Sequence, residues 1–118
     1  MPLELIDIPG LQEYLTGVVK RADHHGDNVR YVVLPLVGAI ILFKNHDQSI
    51  KVFTRKGNTG NVLWVHIGSS QYVVSYDHVS KSIVIKRGTT HGKILARFTN
   101  ATSIPEILSI FEGLEPSN

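Results

Sequence analysis

Residues 62–77 read Val-Leu-Trp-Val-His-Ile-Gly-Ser-Ser-Gln-Tyr-Val-Val-Ser-Tyr-Asp, and the fold turns on how they are read. β-Branched and aromatic residues recur at a period of two on either side of a small polar break, the pattern of two antiparallel strands in a hairpin. Strands are expected over about Val62 to Ile67 and Gln71 to Asp77. A two-residue turn at Ser69-Ser70 then sets Leu63 opposite Tyr76, Val65 opposite Val74 and Ile67 opposite Tyr72.

The same period continues outward in both directions. Further strands are expected at about Ser49 to Arg55, Ser82 to Arg87 and Lys93 to Thr99, separated by Lys-Gly-Asn-Thr-Gly-Asn, His-Val-Ser-Lys and Gly-Thr-Thr-His-Gly. Connections this short imply a five-stranded antiparallel meander. One face collects Leu63, Val65, Ile67, Val74, Tyr76, Ile83, Ile85, Ile94, Ala96 and Phe98 as a core face. The other carries Phe53, Trp64, Ser75, Val84 and Leu95 in one row. Lys51, His66, Val73, Lys86 and Lys93 flank that row on one side, and Arg55, Val62, Asp77, Ser82 and Arg97 on the other.

The flanking segments have a helical period. Ile8 to about His24 places Leu11, Leu15 and Val18 at helical spacing, with Asp7 able to cap and Gly26 as a stop. From Asp27 or Asn28 to Phe43 a second helix is expected, with a kink near Pro35; a β-hairpin turning at Pro35 to Gly38 is the rival. The C-terminal helix is capped by Thr102 or Ser103, has Pro105 and Glu106 in its first turn, and ends at Gly113 and Pro116. The expected fold is α+β, a single domain over residues 1–118, with these three helices packed on one face of the sheet. Leu11, Leu15, Val33, Leu36, Ile40, Ile107, Leu108 and Phe111 supply the cover.

Composition bounds the function. With no Cys among 118 residues there is no disulfide framework, thiolate zinc site or Cys nucleophile. Between Lys44 and Arg97 nine bases face two acids, whereas the flanks hold eight acids and three bases, so a net +2 conceals a basic middle. The first residues lack the basic-then-apolar order of a signal peptide, and Val29 to Phe43 is too short to span a membrane. A cytoplasmic protein is expected.

No arrangement identifies a reaction. Asp23-His24-His25 matches a metal-phosphoesterase signature but lies between two helices rather than at strand ends, and reads better as a helix terminus. Tyr76 and Asp77 alternate across a strand and cannot serve one substrate together, so Tyr76 is assigned to the core and Asp77-His78 to a turn. His66 and His91 could join such a site but complete no triad. Gly57 to Gly60 and Gly88 to Gly92 fit hairpin loops better than phosphate cradles.

The runs Asn61-Val-Leu-Trp-Val-His-Ile, Tyr72-Val-Val-Ser-Tyr-Asp-His and Gly92-Lys-Ile-Leu-Ala-Arg-Phe-Thr-Asn-Ala-Thr, with a closing Phe111-Glu-Gly-Leu, resemble a group of small proteins carried on integron gene cassettes. The resemblance spans roughly residues 24 to 114. It implies a bacterial, mobile, cytoplasmic domain of a kind often found as homo-oligomers, sometimes with a small-molecule pocket, and carries no catalytic residue across.

The outer sheet face is therefore the candidate site, with Phe53, Trp64, His66, Val84, Lys86, Lys93 and Leu95 as its binding or interface residues. Self-association through this face ranks first, since an apolar row on a soluble protein favours burial against a copy. A small-molecule or protein ligand ranks second, with Trp64, Tyr72 and His66 lining a pocket. Single-stranded nucleic acid, stacked on Phe53 and Trp64, ranks third, and catalysis last. No cofactor, metal or membrane partner is expected.

Overall fold

The computed structural model describes residues 2–5, 12, 29–55, 58–77 and 79–114. Strands β1 (Pro2–Leu5), β2 (Ile50–Arg55), β3 (Asn58–Ile67), β4 (Ser70–Asp77), β5 (Ser82–Arg87) and β6 (Ile94–Phe98) form one antiparallel sheet in chain order. Two helices among the described residues, α1 (Val33–Phe43) and α2 (Ile104–Leu114), complete an α+β fold. The five expected strands pair as a meander, and β1 adds a sixth at the edge, antiparallel to β2. Only four residues long, β1 is too short for alternation to announce, and its Pro2 opens an edge strand, where a missing N–H breaks no ladder. The first expected helix, Ile8 to about His24, lies outside the described residues apart from Gln12, which is helical.

The second helix replaces the rival hairpin but starts later than its sequence suggests. Val32 stands at its N-cap position with no side-chain cap, and the turn before the helix is held from far along the chain: Asn100 Oδ1 accepts from the backbone N–H groups of Tyr31 (2.8 Å) and Val32 (3.1 Å). Asp27 and Asn28, where the cap was expected, lie outside the described residues. Pro35 falls in the first turn, where an N–H has no intrahelical partner to lose, so the expected kink has no cause. In α2 the cap resolves to Ser103 in a reciprocal box: Glu106 N donates to Ser103 Oγ (3.2 Å) and Ser103 N to Glu106 Oε1 (2.9 Å).

Both helices cover one face of the sheet. Leu36, Ala39, Ile40, Ile107 and Phe111 meet Val52, Leu63, Val65, Ile67, Tyr72, Val74, Ile85 and Phe98 in one buried cluster. Phe111 is its hinge point, with ring centroids 5.8 Å from Phe43 and 6.1 Å from Phe98. The Tyr72 hydroxyl donates to the Leu114 carbonyl (3.1 Å), which ties the end of α2 to β4. Leu108, expected in the cover, is instead exposed, next to the buried Ile107 and nearly one turn before the buried Phe111.

The central hairpin turns one residue earlier than expected. Ile67 pairs with Ser70, so the turn is Gly68-Ser69, and the register moves by two residues: Leu63 faces Val74 and Val65 faces Tyr72. Gly68 has φ 62°, a backbone state that glycine adopts freely and that the first turn position of a type II′ hairpin requires. A slip of two keeps every side chain on its own face, whereas a slip of one would have inverted the core. Asn45 holds the hairpin from outside it, since its Oδ1 accepts from Gly68 N (3.0 Å) and its Nδ2 donates to Gly68 O (2.9 Å).

Candidate functional site

The register redraws the outer sheet face. Lys51 pairs with Trp64, Trp64 with Val73, and Val73 with Lys86, so the row reads Lys51, Trp64, Val73, Lys86. Val62, Ser75, Val84 and Arg97 form the next row, not the row of Trp64. Between Ile85 and Lys86 the ladder with β6 shifts: Ile85 faces Ala96 and Lys86 faces Ile94, leaving Leu95 unpaired in a bulge. Leu95 then packs against the helix-side core, while Ile94 takes the outer position beside Lys86 expected of Lys93, and Arg97 the one beside Val84 expected of Leu95.

Each expected site residue has its place on this frame. Trp64, His66 and Lys86 are half-buried, and Lys93 is exposed in the loop that leads into β6. Phe53 lies in β2 opposite Pro2, and its side chain is outside the described ones. Val84 is only 1% exposed and its neighbour Val73 is fully buried, so neither offers accessible surface. Tyr72 lies on the core face, 1% exposed, and cannot line a pocket with Trp64. The continuous apolar row is thus absent, and a tryptophan between two lysines stands in its place. Lys86 is committed in part, because its Nζ donates to the Thr90 carbonyl (2.9 Å).

The polar motifs are used by the fold. Asp77 Oδ2 accepts from Ser80 Oγ (2.6 Å) and from Arg97 (3.2 Å); Ser80 Oγ also meets Arg97 (3.0 Å) and the buried Ser82 hydroxyl (2.6 Å). The Ser80 hydroxyl, then the backbone N–H groups of Val79 and Ser80 and the Arg97 guanidinium, hold the Asp77 carboxyl below its ordinary range. This is a turn lock. The Ser80 oxygen is thus engaged by a carboxylate, a guanidinium and a second hydroxyl, and among the described residues no histidine joins them as the base of a nucleophilic serine.

The Gly88 to Gly92 loop is likewise closed on itself. Gly88 N donates to Gln71 O, Thr89 N to Arg87 O, Gly92 N to Thr89 O and His91 N to Thr89 Oγ1, leaving these four donors unavailable to a phosphate. A Cβ at Gly92 would run into the Arg87 carbonyl, which fixes glycine there. Among the described residues no group of three or more His, Asp or Glu is placed to hold a metal ion, and no helix is long and apolar enough to cross a membrane. Asp23, His24, His25 and His78 lie outside the described residues.

The surface that sequence reasoning missed is on α1. Its eleven residues, Val-Leu-Pro-Leu-Val-Gly-Ala-Ile-Ile-Leu-Phe, include no polar side chain. One side, Val33, Leu36, Ala39 and Ile40, is buried; the other leaves Leu34 61%, Ile41 42% and Leu42 69% exposed, with Tyr31 at 70% just before the helix. Positions 31, 34, 38, 41 and 42 share one face at helical spacing. The signal was legible as an apolar run with no polar face, since a helix lying on a single sheet buries only one side.

None of the curated proteins compared with the chain matches it. The family described as "Integron cassette protein VCH_CASS1 chain" matches residues 11–108. With most of the chain covered, including every described element except β1 and the last turns of α2, this protein belongs to that integron cassette protein family.

Proposed function

We propose that this cassette protein is a non-enzymatic, cytoplasmic interaction module that acts as a homo-oligomer, and that α1 rather than the outer sheet face joins the copies. The observation that carries this reading is the wholly apolar α1 with Leu34, Ile41 and Leu42 open to solvent. Together with Tyr31 they expose on the order of 400 Å² of apolar surface, within the range of a monomer's largest apolar patch, which is often a functional one. A copy of the same face covers such a surface with like chemistry. Light scattering tests it: the wild type is expected at twice the monomer mass or more, and Leu42→Asp at the monomer mass with an unchanged far-UV circular dichroism spectrum. A monomeric wild type at millimolar concentration sinks the reading.

A second reading, a small aromatic anion as ligand, is favoured by the row Lys51, Trp64, Val73, Lys86. An indole between two ammonium groups can stack on a planar ring and neutralise its carboxylate. Trp64 is the only tryptophan, so its fluorescence reports directly on occupancy. Titration with salicylate is expected to quench it in the millimolar range and less so in Lys51→Ala, with the difference fading at high salt. Unchanged emission removes this reading. Nucleic acid loses support here, because Val84 is enclosed and Leu95 turns to the core side.

A further inference from the structure

Gly38 is the residue that the chain itself does not explain. A glycine in a helix interior is about 1 kcal/mol less favourable than alanine. Such a residue is usually held by a positive φ or by a neighbour too close for a Cβ. Neither applies: its backbone is helical, and a Cβ built there meets nothing within 4 Å. Gly113 also has open space around it, but it lies one residue from the end of α2, where glycine is common. Gly38 instead sits in the middle of α1, between Leu34 one turn before and Leu42 one turn after, on the exposed apolar face.

We infer that a second copy of α1 crosses at Gly38, so that two chains related by a two-fold axis bring their helix backbones together there. This rests on the self-association proposed above and adds its geometry. A face built as large, small, large presents a notch, and a two-fold axis through the notch lets Leu34 and Leu42 of each chain pack beside the glycine of the other. The occupant must be largely apolar, because α1 itself offers no charge and no side-chain hydrogen-bonding group; only at its end do the Tyr31 hydroxyl and the Arg30 guanidinium, 5.1 Å over the Tyr31 ring, add polarity. It must also be a helix or something as narrow, since the notch is one residue wide. An α1 from a second chain meets both demands. Burying the face on both copies with its rim removes on the order of 1,000 Å² from water, the threshold at which an interface becomes specific.

The absence of cysteine makes the test direct, because a single introduced thiol can form a disulfide only between chains. A disulfide needs Cα atoms within about 7 Å of each other, a condition met only close to the axis. Gly38→Cys is expected to oxidise to a covalent dimer in at least about tenfold higher yield than Val79→Cys, which sits 93% exposed at the β4–β5 turn. Leu42→Cys, one turn along the same face, guards against a poorly folded glycine variant and is expected to fall between the two. Gly38→Leu should raise the dimer dissociation constant by about tenfold or more with circular dichroism unchanged, since within one chain the added side chain meets open space. A dimeric wild type whose cysteine variants at 38 and 42 cross-link no better than Val79→Cys overturns the crossing and leaves self-association standing. A monomeric wild type overturns both, and one that instead co-sediments with phosphatidylcholine vesicles assigns the face to a lipid surface.

Discussion

Asp77 shows how a residue that looks chemical is spent on structure. Its carboxylate gathers the Ser80 hydroxyl, two backbone N–H groups and Arg97 around the β4–β5 turn, where Lys81 takes a positive φ of 54°. The ion pair is half-exposed and contributes little by itself, so the turn depends more on the hydroxyl and amide bonds. Because these partners place the folded carboxyl below its ordinary 3.8, the stabilisation is fully present above that value and is lost as pH falls through the lower folded one. Glu106, held below 4.5 by the Ser103 backbone N–H and hydroxyl, acts in the same sense. Urea midpoints at pH 7 and pH 3 are expected to show Asp77→Asn less stable than wild type at pH 7, with the gap narrowing at pH 3. An equal gap at both would remove Asp77 from the acid response. Residue identity alone assigned Asp77 to a turn, but it gave no view of Arg97, which lies 20 positions away and reaches the carboxylate only through β5 and β6 pairing.

At the scale of elements, periodicity was a better guide to type than to boundary. The five strands and both described helices follow from period two and period 3.6, and the division of β3, β4 and β5 between two faces survives because the register differs by an even number, although Val73, Ser82 and Val84 on the outer face are buried. Two things defeated the local pattern. The bulge at Leu95 is set by pairing to β5, and it exchanges Leu95 and Ile94 between the faces without any glycine or proline to mark it. The described helix α1 starts at Val33 with no side-chain cap, and the turn before it is tied to Asn100, 68 positions from Val32, a partner that no local pattern announces. Removing that acceptor leaves two backbone N–H groups, those of Tyr31 and Val32, without their partner. Asn100→Ala is expected to lower stability by about 1 kcal/mol in urea unfolding, with Asn100→Asp, which keeps an acceptor oxygen, recovering most of it. A loss below a few tenths would show that the α1 N-terminus is satisfied in another way.

The whole molecule sets its charges and its apolar surface apart. Bases concentrate on the strands and their loops, whereas α1 carries neither charge nor polar side chain, and it is this neutral helix that leaves its second face open. Mutual repulsion between basic sheets therefore opposes sheet-to-sheet pairing of two copies and leaves helix-to-helix pairing unhindered. If the pairing is part of the folded state, unfolding releases two chains, and mass action ties stability to concentration. Each tenfold increase in protein then adds about 1.4 kcal/mol per dimer, because the unfolded chains must find one another again. For a chain of this length that is a rise of several degrees in Tm. Scanning calorimetry from micromolar to near-millimolar protein should show such a rise for wild type and a flat line for Leu42→Asp. Salt distinguishes the two faces as well: an α1 interface is expected to keep or gain strength at high ionic strength, whereas an association through the basic sheet and an acidic surface would weaken. A Tm independent of concentration in the wild type would place the apolar face of α1 outside any self-contact of the folded protein.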